Sequence, residues 1–203
     1  AYYALKNIGF KVQFVWHKER NLNKFDGILI PGGFSYGDYL RTGAIARFSP
    51  IMNEVIKEAK KGKPVIGICN GFQILLESGL LPGALINNKN IKFLSRIVSL
   101  KVESKDSIFT NKTQVGDELI MPIAHKQGNY IASSDTISDL EDNDQILFRY
   151  NNENPNGSMN NIAGIVNVQR NVLGMMPHPE RACDKTLGSD DGKFIFNSLI
   201  ESC

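Results

Sequence analysis

This sequence lacks the features that mark membrane, secreted and nucleic-acid-binding proteins. It has no apolar run near the about 20 residues that a helix needs to cross a bilayer, and it shows no signal-peptide pattern. Its formal net charge is only +2, which is too small to indicate binding to nucleic acid or to an acidic membrane surface. We therefore expect neither a membrane nor a nucleic acid as a partner.

Cysteine is also scarce. The three cysteines, Cys69, Cys183 and Cys203, lie far apart in the sequence, which argues against a disulfide framework and against a zinc site. We therefore expect a protein of the reducing cytoplasm, with Cys183 as a filler residue and Cys203 as a chain-end thiol. A glycine-rich phosphate-binding loop of either common type is missing, so we expect no cofactor and no metal in this chain.

What is present is an ordinary globular composition. Hydrophobic residues make up 42% and charged residues 22% of the 203 residues, so the chain can bury a core and carries no signature of disorder. No internal repeat, low-complexity tract or linker divides the sequence. Residues 1–203 are therefore predicted to form a single domain.

Helical and strand patterns alternate along much of the chain. Predicted helices cover Tyr2–Ile8, closed by Gly9, the segment after Ser49-Pro50, the segment around Phe72–Leu76, and Lys193–Ile200. Predicted strands cover Lys11–Trp16, Phe25–Ile30, Val65–Ile68, Phe93–Glu103, Glu118–Ile123, Gln145–Tyr150, Ile162–Val168 and Leu173–Met176. We expect Ser49 to cap its helix with its side chain and Pro50 to take the first helical position.

This order of elements predicts an α/β fold. We expect a doubly wound, flavodoxin-like, mostly parallel sheet with antiparallel additions, the latter beginning near residue 91. The sequence opens inside a helix, whereas a doubly wound sheet normally opens with a strand. We therefore expect that a first strand is missing from this chain.

The segment Gly67-Ile68-Cys69-Asn70-Gly71 places a cysteine where an apolar strand turns into a helix. A thiolate is the attacking form of cysteine, and the N-terminal end of a helix favours its negative charge. The turn also raises the sulfur to the carboxyl edge of the strands, where open α/β sheets bind ligands. The same device presents the serine of α/β-hydrolases. Taken alone, the segment fits a buried core thiol as well as a nucleophile.

A second segment, Met176-Pro177-His178-Pro179-Glu180, supplies a histidine and a carboxylate. The prolines favour extended backbone, in which residues two apart project to the same side. Glu180 could then orient His178, and His178 could take the proton from Cys69. Taken alone, this segment also fits an ordinary surface turn.

A developing oxyanion needs hydrogen-bond donors. The backbone N–H of Asn70, directly after the cysteine, is well placed to be one. A second donor could come from Pro31-Gly32-Gly33, a turn that ends another strand and lies on the same edge of the sheet. The alternative for this turn is a plain loop.

These residues also carry a family resemblance. Gly67–Gln73 together with His178-Pro179-Glu180 resembles the class I, triad glutamine amidotransferases. Two further segments make this resemblance more specific. Both look like segments of the glutaminase subunits of phosphoribosylformylglycinamidine synthases; they are Pro31–Ala46 and Gly174–Arg181. The similarity runs over essentially the whole chain. It implies a glutaminase that releases ammonia from glutamine through a glutamyl thioester, in purine biosynthesis.

The resemblance further implies site roles and partners. It implies that Cys69 is the nucleophile, that His178 is the general base and that Glu180 orients His178. It also implies that Gly33 and Asn70 are the oxyanion donors and that Gly32 and Gln73 bind the substrate. A separate synthetase subunit would use ATP and magnesium and receive the ammonia, and a small bridging subunit would complete the complex. The loop Ser35–Arg41 would face the synthetase.

One segment departs from the family. His125-Lys126-Gln127-Gly128 stands where family members usually carry His-Gly-Glu-Gly, in a region whose backbone is expected to contact the α-amino and carboxylate groups of glutamine. For His125 itself we favour a structural role in the loop.

Three alternatives remain open on the sequence. The chain could be a glutaminase for another acceptor or a free-standing cysteine hydrolase on the same fold. Such hydrolases usually have histidine directly after the nucleophile, where this chain has Asn70. The chain could also be a non-catalytic regulatory partner, against which the complete Cys69, His178 and Glu180 set argues.

Overall fold

The computed structural model describes residues 1–38 and 41–200, with the backbone alone at positions 37 and 38. Within those residues the strands are β1 (Ile28–Ile30), β2 (Val65–Ile68), β3 (Ala84–Ile86), β4 (Leu94–Val102), β5 (Glu118–His125), β6 (Asn129–Ile131), β7 (Ile146–Tyr150), β8 (Ile162–Val166) and β9 (Val172–Met175). The α-helices are α1 (Tyr2–Ile8), α2 (Pro50–Lys60), α3 (Asn70–Glu77), α4 (Ser134–Asp142) and α5 (Gly192–Ile200).

Seven of these strands form one mixed sheet, in the order β1-β2-β9-β8-β7-β4-β5. The neighbours β1, β2 and β9 run parallel, whereas every pair from β9 to β5 is antiparallel. Strands β3 and β6 pair separately as a two-stranded antiparallel sheet. The predicted α/β fold with antiparallel additions is confirmed, although antiparallel pairs outnumber parallel pairs among the described strands.

The strand predicted over Lys11–Trp16 is wrong. An alternating pattern provides two suitable faces, but a strand also needs a neighbour that takes up its backbone hydrogen bonds. This segment pairs with no strand in the described part of the chain. Its side chains Phe14 and Trp16 are exposed instead, by 80% and 64%.

Helix α2 begins where the sequence predicts, but the predicted hydrogen bond from the helix to the Ser49 side chain is not formed. Ser49 is the N-cap residue and Pro50 takes the first helical position, but the Ser49 side chain accepts no bond from the helix. Its hydroxyl lies 3.0 Å from the hydroxyl of Tyr36 instead. A tertiary contact thus replaces the local cap.

The parallel strands position the site. β2 and β9 are fully buried on both faces, as their apolar sequences predict. Because β1, β2 and β9 run parallel, their carboxyl ends meet at one edge of the sheet, and the segments that follow them come together there. None of the helices in the ranges 1–38 and 41–200 is long and apolar enough to cross a membrane.

Candidate active site

Cys69 sits at the turn between β2 and α3 in a strained backbone conformation. Its φ is 51° and its ψ is −104°, a region that non-glycine residues adopt rarely and that clusters at functional sites. Its amide donates to the carbonyl of Met175 at 2.8 Å, and its thiol donates to the carbonyl of Ala124 at 3.6 Å. The side chain is almost fully enclosed, with 6% of its surface exposed. The turn therefore holds the sulfur in a defined place beside β5.

The two glycines that flank this turn allow the helix to approach the sheet closely. A Cβ added at Gly71 would collide with the carbonyl oxygen of Ile30 in β1, and one added at Gly67 would lie 2.7 Å from the backbone of Gly71. Close packing of α3 on the sheet therefore requires glycine at both positions. Any larger residue would push α3, and with it Cys69, away from the strands.

His178 and Glu180 meet as a hydrogen-bonded pair. The imidazole Nδ1 lies 2.7 Å from Oε1 of Glu180; the side chains of His178 and Glu180 are exposed by only 2% and 9%. The predicted extended backbone is wrong here, because Pro179–Arg181 forms a 3₁₀ turn with His178 as its N-cap. Proline suits the first position of such a turn as well as it suits an extended chain. The main chain of His178 is fixed as well, since its amide donates to Pro122 of β5 at 2.9 Å.

This pairing decides which ring nitrogen of His178 is available. A carboxylate accepts and does not donate, so Nδ1 carries the proton and Nε2 presents a lone pair. Nε2 is buried and has no hydrogen-bond partner among the described residues. The ring is therefore set up to accept a proton on the side away from Glu180.

Gly32 connects the cysteine and the histidine in space. A Cβ built on Gly32 would lie 2.8 Å from Cε1 of His178 and 3.5 Å from Cβ of Cys69. The turn after β1, the turn after β2 and the segment after β9 thus converge on one point. A thiol beside a base oriented by a carboxylate is the arrangement of a cysteine nucleophile that forms covalent intermediates.

The predicted oxyanion donors lie at the same edge. Asn70 is the first residue of α3, and the first amides of a helix have no intrahelical partner. Gly33 has a φ of 149°, which only glycine adopts without strain. Gly33 directly follows Gly32, and Asn70 directly follows Cys69, so both amides belong to turns that meet beside His178.

Gln73 is positioned differently from a simple ligand-binding side chain. It is 5% exposed, its Oε1 accepts from Nδ2 of Asn70 at 2.9 Å, and its Nε2 donates to the carbonyl of Gln127 at 2.7 Å. Both ends of its carboxamide are thus used within the protein. Gln73 joins the helix start to the loop that follows β5.

The structure adds Asn88, whose role in the site no sequence pattern indicated, and places it against His125. Asn88 donates through Nδ2 to the carbonyls of Lys92 and His125, and its Oδ1 accepts from the amide of Gly128 at 3.0 Å. Nδ1 of His125, 3.0 Å from the same Oδ1, must therefore donate. Burial, and next the charge of His178, lowers the pKa of His125 to about 4. His125 is a neutral structural ring at neutral pH, beside the catalytic candidates.

Two parts of the sequence prediction lie outside the described residues. Tyr39 and Leu40 belong to the Pro31–Ala46 motif, and Cys203 is the predicted chain-end thiol. Among the residues that are described, no group of three or more His, Cys, Asp or Glu side chains is arranged to hold a metal ion.

Comparison with known proteins decides the family. Residues 1–192 match the family model of the CobB/CobQ-like glutamine amidotransferase domain. The chain belongs to this family. It is also 43% identical to a chain in the structure of PurLQS from Thermotoga maritima, covering 99% of this chain and 90% of that one with a TM-score of 0.91. The resemblance to glutamine amidotransferases is confirmed, and the protein is an enzyme of that class.

More distant structures share the fold of this amidotransferase. A putative GMP synthase subunit from Thermoplasma acidophilum is 16% identical with a TM-score of 0.65, covering 98% of this chain and 84% of that one. The glutaminase domain of the Trypanosoma brucei CTPS, solved with bound acivicin, is 13% identical with a TM-score of 0.61, covering 98% and 86%. At these identities the likeness shows the fold alone.

Proposed function

We propose that this glutamine amidotransferase is the glutaminase subunit of a phosphoribosylformylglycinamidine synthase. The observation that carries the proposal is the convergence of Cys69, His178 and Gly32 in a chain 43% identical, over 99% of its length, to a chain of PurLQS. It would hydrolyse glutamine and pass the ammonia to a synthetase subunit, which converts formylglycinamide ribonucleotide to formylglycinamidine ribonucleotide in purine biosynthesis.

In this proposal Cys69 is the nucleophile. Its thiol proton moves to Nε2 of His178 while the sulfur attacks the side-chain carbonyl carbon of glutamine. The carboxylate of Glu180 stabilises the imidazolium that forms. The tetrahedral intermediate collapses, the C–N bond breaks, and the departing amine takes the proton from His178 and leaves as ammonia. Water, deprotonated by the same histidine, then hydrolyses the glutamyl thioester to glutamate and the free thiol.

The oxyanion of each tetrahedral intermediate would be bound by the amides of Gly33 and Asn70. Both belong to turns at the carboxyl edge of the sheet, so they are fixed before substrate arrives, which is what makes such donors effective. Gly32 and Gln73 would border the substrate. The Gly32 α-carbon leaves room beside the His178 ring, and Gln73 holds the loop after β5 on which the α-amino and carboxylate groups of glutamine would rest.

The surface beside the site suits a protein partner. Phe34, Ile45 and Phe48 flank residues 35–41 in the sequence and are exposed by 75%, 37% and 72%. Exposed apolar side chains clustered next to an active site mark interaction surfaces. We assign this surface to the synthetase subunit, which would use ATP and magnesium, in a cytoplasmic complex that also contains a small bridging subunit. This chain then acts as a single glutaminase domain without a cofactor of its own.

Reconstitution of the complex tests the proposal. Wild type, Cys69→Ala and a Cys183→Ala control are combined with the synthetase and bridging subunits, and formylglycinamidine ribonucleotide is measured with glutamine or with ammonium as the nitrogen source. We expect Cys69→Ala to lose synthesis from glutamine and to keep synthesis from ammonium, while the control keeps both. Full glutamine-dependent synthesis by Cys69→Ala would contradict the proposed nucleophile. Glutamine hydrolysis without this product would indicate another acceptor.

A further inference from the structure

Gln127 makes contacts that link three separate segments of the chain. Its backbone carbonyl accepts from Nε2 of Gln73 at 2.7 Å. Its side-chain Oε1 accepts from the amide of Thr42 at 3.3 Å and also from the Thr42 hydroxyl. The loop after β5, the first turn of α3 and the loop before α2 therefore meet at this one residue.

The polarity of these bonds is fixed from end to end. The Gln127 carbonyl can only accept, so Nε2 of Gln73 must donate and its Oε1 must accept. Asn70 therefore donates through Nδ2 to Gln73, and its Oδ1 is left to accept from the hydroxyl of Ser35. At the other end the Thr42 amide can only donate, so the Gln127 side chain presents its oxygen. The side-chain carboxamides of Asn70, Gln73 and Gln127 therefore each have one permitted orientation in this hydrogen-bonded series.

This hydrogen-bonded chain reaches the catalytic turn. The amide of Gln73 donates to the carbonyl of Cys69 at 3.1 Å, so main chain and side chain of Gln73 together hold residues 69 and 70. The backbone of the Thr42 loop packs directly against the backbone of the same turn. A Cβ added to Gly43 would lie only 2.9 Å from the backbone of Gln73 and Ile74. Gln127 closes the contact from the third side.

We propose that Gln127 is a positioning residue for the glutaminase reaction: its side chain fixes the first turn of α3 against the Thr42 loop, and so sets the Cys69 sulfur and the Asn70 amide. The proposal rests on the proposed function. Thr42 is 6% exposed, so removing its acceptor would leave a buried amide and a buried hydroxyl unpaired. Small displacements of a nucleophile reduce the rate far more than they reduce binding. Gln127 therefore acts on the catalytic turn through Gln73 and Asn70.

Two variants separate the hydrogen bond from the space that the side chain fills. Gln127→Met keeps the length of the side chain and removes its oxygen. Gln127→Glu keeps an oxygen that can accept both bonds from Thr42. Gln114→Met is the matched control, because Gln114 is exposed and lies outside the three segments that meet at Gln127.

The experiment measures how fast a chloromethyl ketone analogue of glutamine inactivates the protein within the reconstituted complex. In this reaction the Cys69 thiolate displaces chloride and forms a thioether. We expect Gln127→Met to lower kinact by about tenfold, the equivalent of one lost hydrogen bond, with Gln127→Glu and Gln114→Met close to wild type. Thermal unfolding of each variant shows that the change in kinact is measured on folded protein.

Three other results would overturn either the positioning role of Gln127 or the proposed function. Equal kinact for Gln127→Met and wild type would overturn the positioning role. Equal loss in Gln127→Met and Gln127→Glu would also overturn it, because the acceptor oxygen would not matter. If the analogue fails to inactivate wild type while iodoacetamide still alkylates Cys69, the proposed function fails, and this proposal with it.

Discussion

The imidazole of His178 and the carboxylate of Glu180 are in direct contact, with 2.7 Å between Nδ1 and Oε1. Only Pro179 separates the two residues in the sequence. The 3₁₀ turn at Pro179–Arg181 brings them together. The contact places the proton on Nδ1 and leaves Nε2 to receive another. The role of His178 as the base that accepts the Cys69 proton depends on this position of the ring proton.

Replacing the carboxylate tests that assignment. In Glu180→Gln the carboxamide can donate to Nδ1 as well as accept from it, so the ring can adopt the tautomer with its proton on Nε2. We expect kcat for glutamine hydrolysis to fall by roughly 10²- to 10⁴-fold, as for other triads that lose their acid. Ammonium-dependent synthesis in the complex should stay at the wild-type level. An unchanged kcat would show that Glu180 does not orient His178.

Replacing Gly32 by alanine tests the convergence of the three turns. The new methyl group would lie 2.8 Å from Cε1 of His178, closer than a Cβ contact allows, so the ring must move from its place against Glu180. We expect kcat to fall by roughly 10²-fold, the effect of a displacement of about 1 Å. Gly27→Ala is the control, because its methyl group would meet only Pro64, at 3.7 Å or more. Equal kinetics for the two variants would contradict the geometry.

His125 predicts a pH dependence of stability. Its folded pKa of about 4 lies below its ordinary value of 6.5, with burial as the main cause. The stability gained from the neutral ring is therefore fully present above about pH 6.5 and is lost as the pH falls towards 4. We expect the free energy of unfolding, measured with urea, to be about 2 kcal/mol lower at pH 5 than at pH 7 on this account. His125→Asn should lose that difference, and an equal difference in variant and wild type would contradict it.

Cys183 should be a slow thiol. It is half-buried and donates to the carbonyl of Pro179 at 3.0 Å, and burial, with a smaller effect from the charge of Glu180, raises its pKa to about 11. In a Cys69→Ala, Cys203→Ser background it is the only thiol. We expect iodoacetamide at pH 8 to alkylate it about 10²-fold more slowly than a peptide thiol. Addition of denaturant should remove the difference, and fast labelling of the folded protein would refute the assignment.

Much of the fold could be predicted because its signals are local. The apolar run of β2, the glycines around Cys69 and the proline at the start of α2 each act within a few residues. Helix α4 was missed although Ser133 caps it by accepting from the Thr136 amide at 3.2 Å, and the pairing of β3 with β6 was missed as well. The strand predicted at Lys11–Trp16 failed because alternation gives no information about a partner strand.

The candidate site divides in the same way. Cys69, His178 and Glu180 stand out by residue type and by their turns. The contacts between Gln127 and Thr42, or between Asn88 and His125, join residues far apart in sequence through ordinary amide groups, which no local pattern distinguishes. Only the folded chain brings those groups together.

The most direct test of the whole account is to identify the covalent intermediate. The reconstituted complex is mixed rapidly with glutamine and quenched with acid, and its peptides are analysed by mass spectrometry. We predict a glutamyl group on the peptide that contains Cys69, absent in His178→Asn. A glutamyl group on Cys183, or turnover of glutamine with Cys69 unmodified at every time point, would contradict the account.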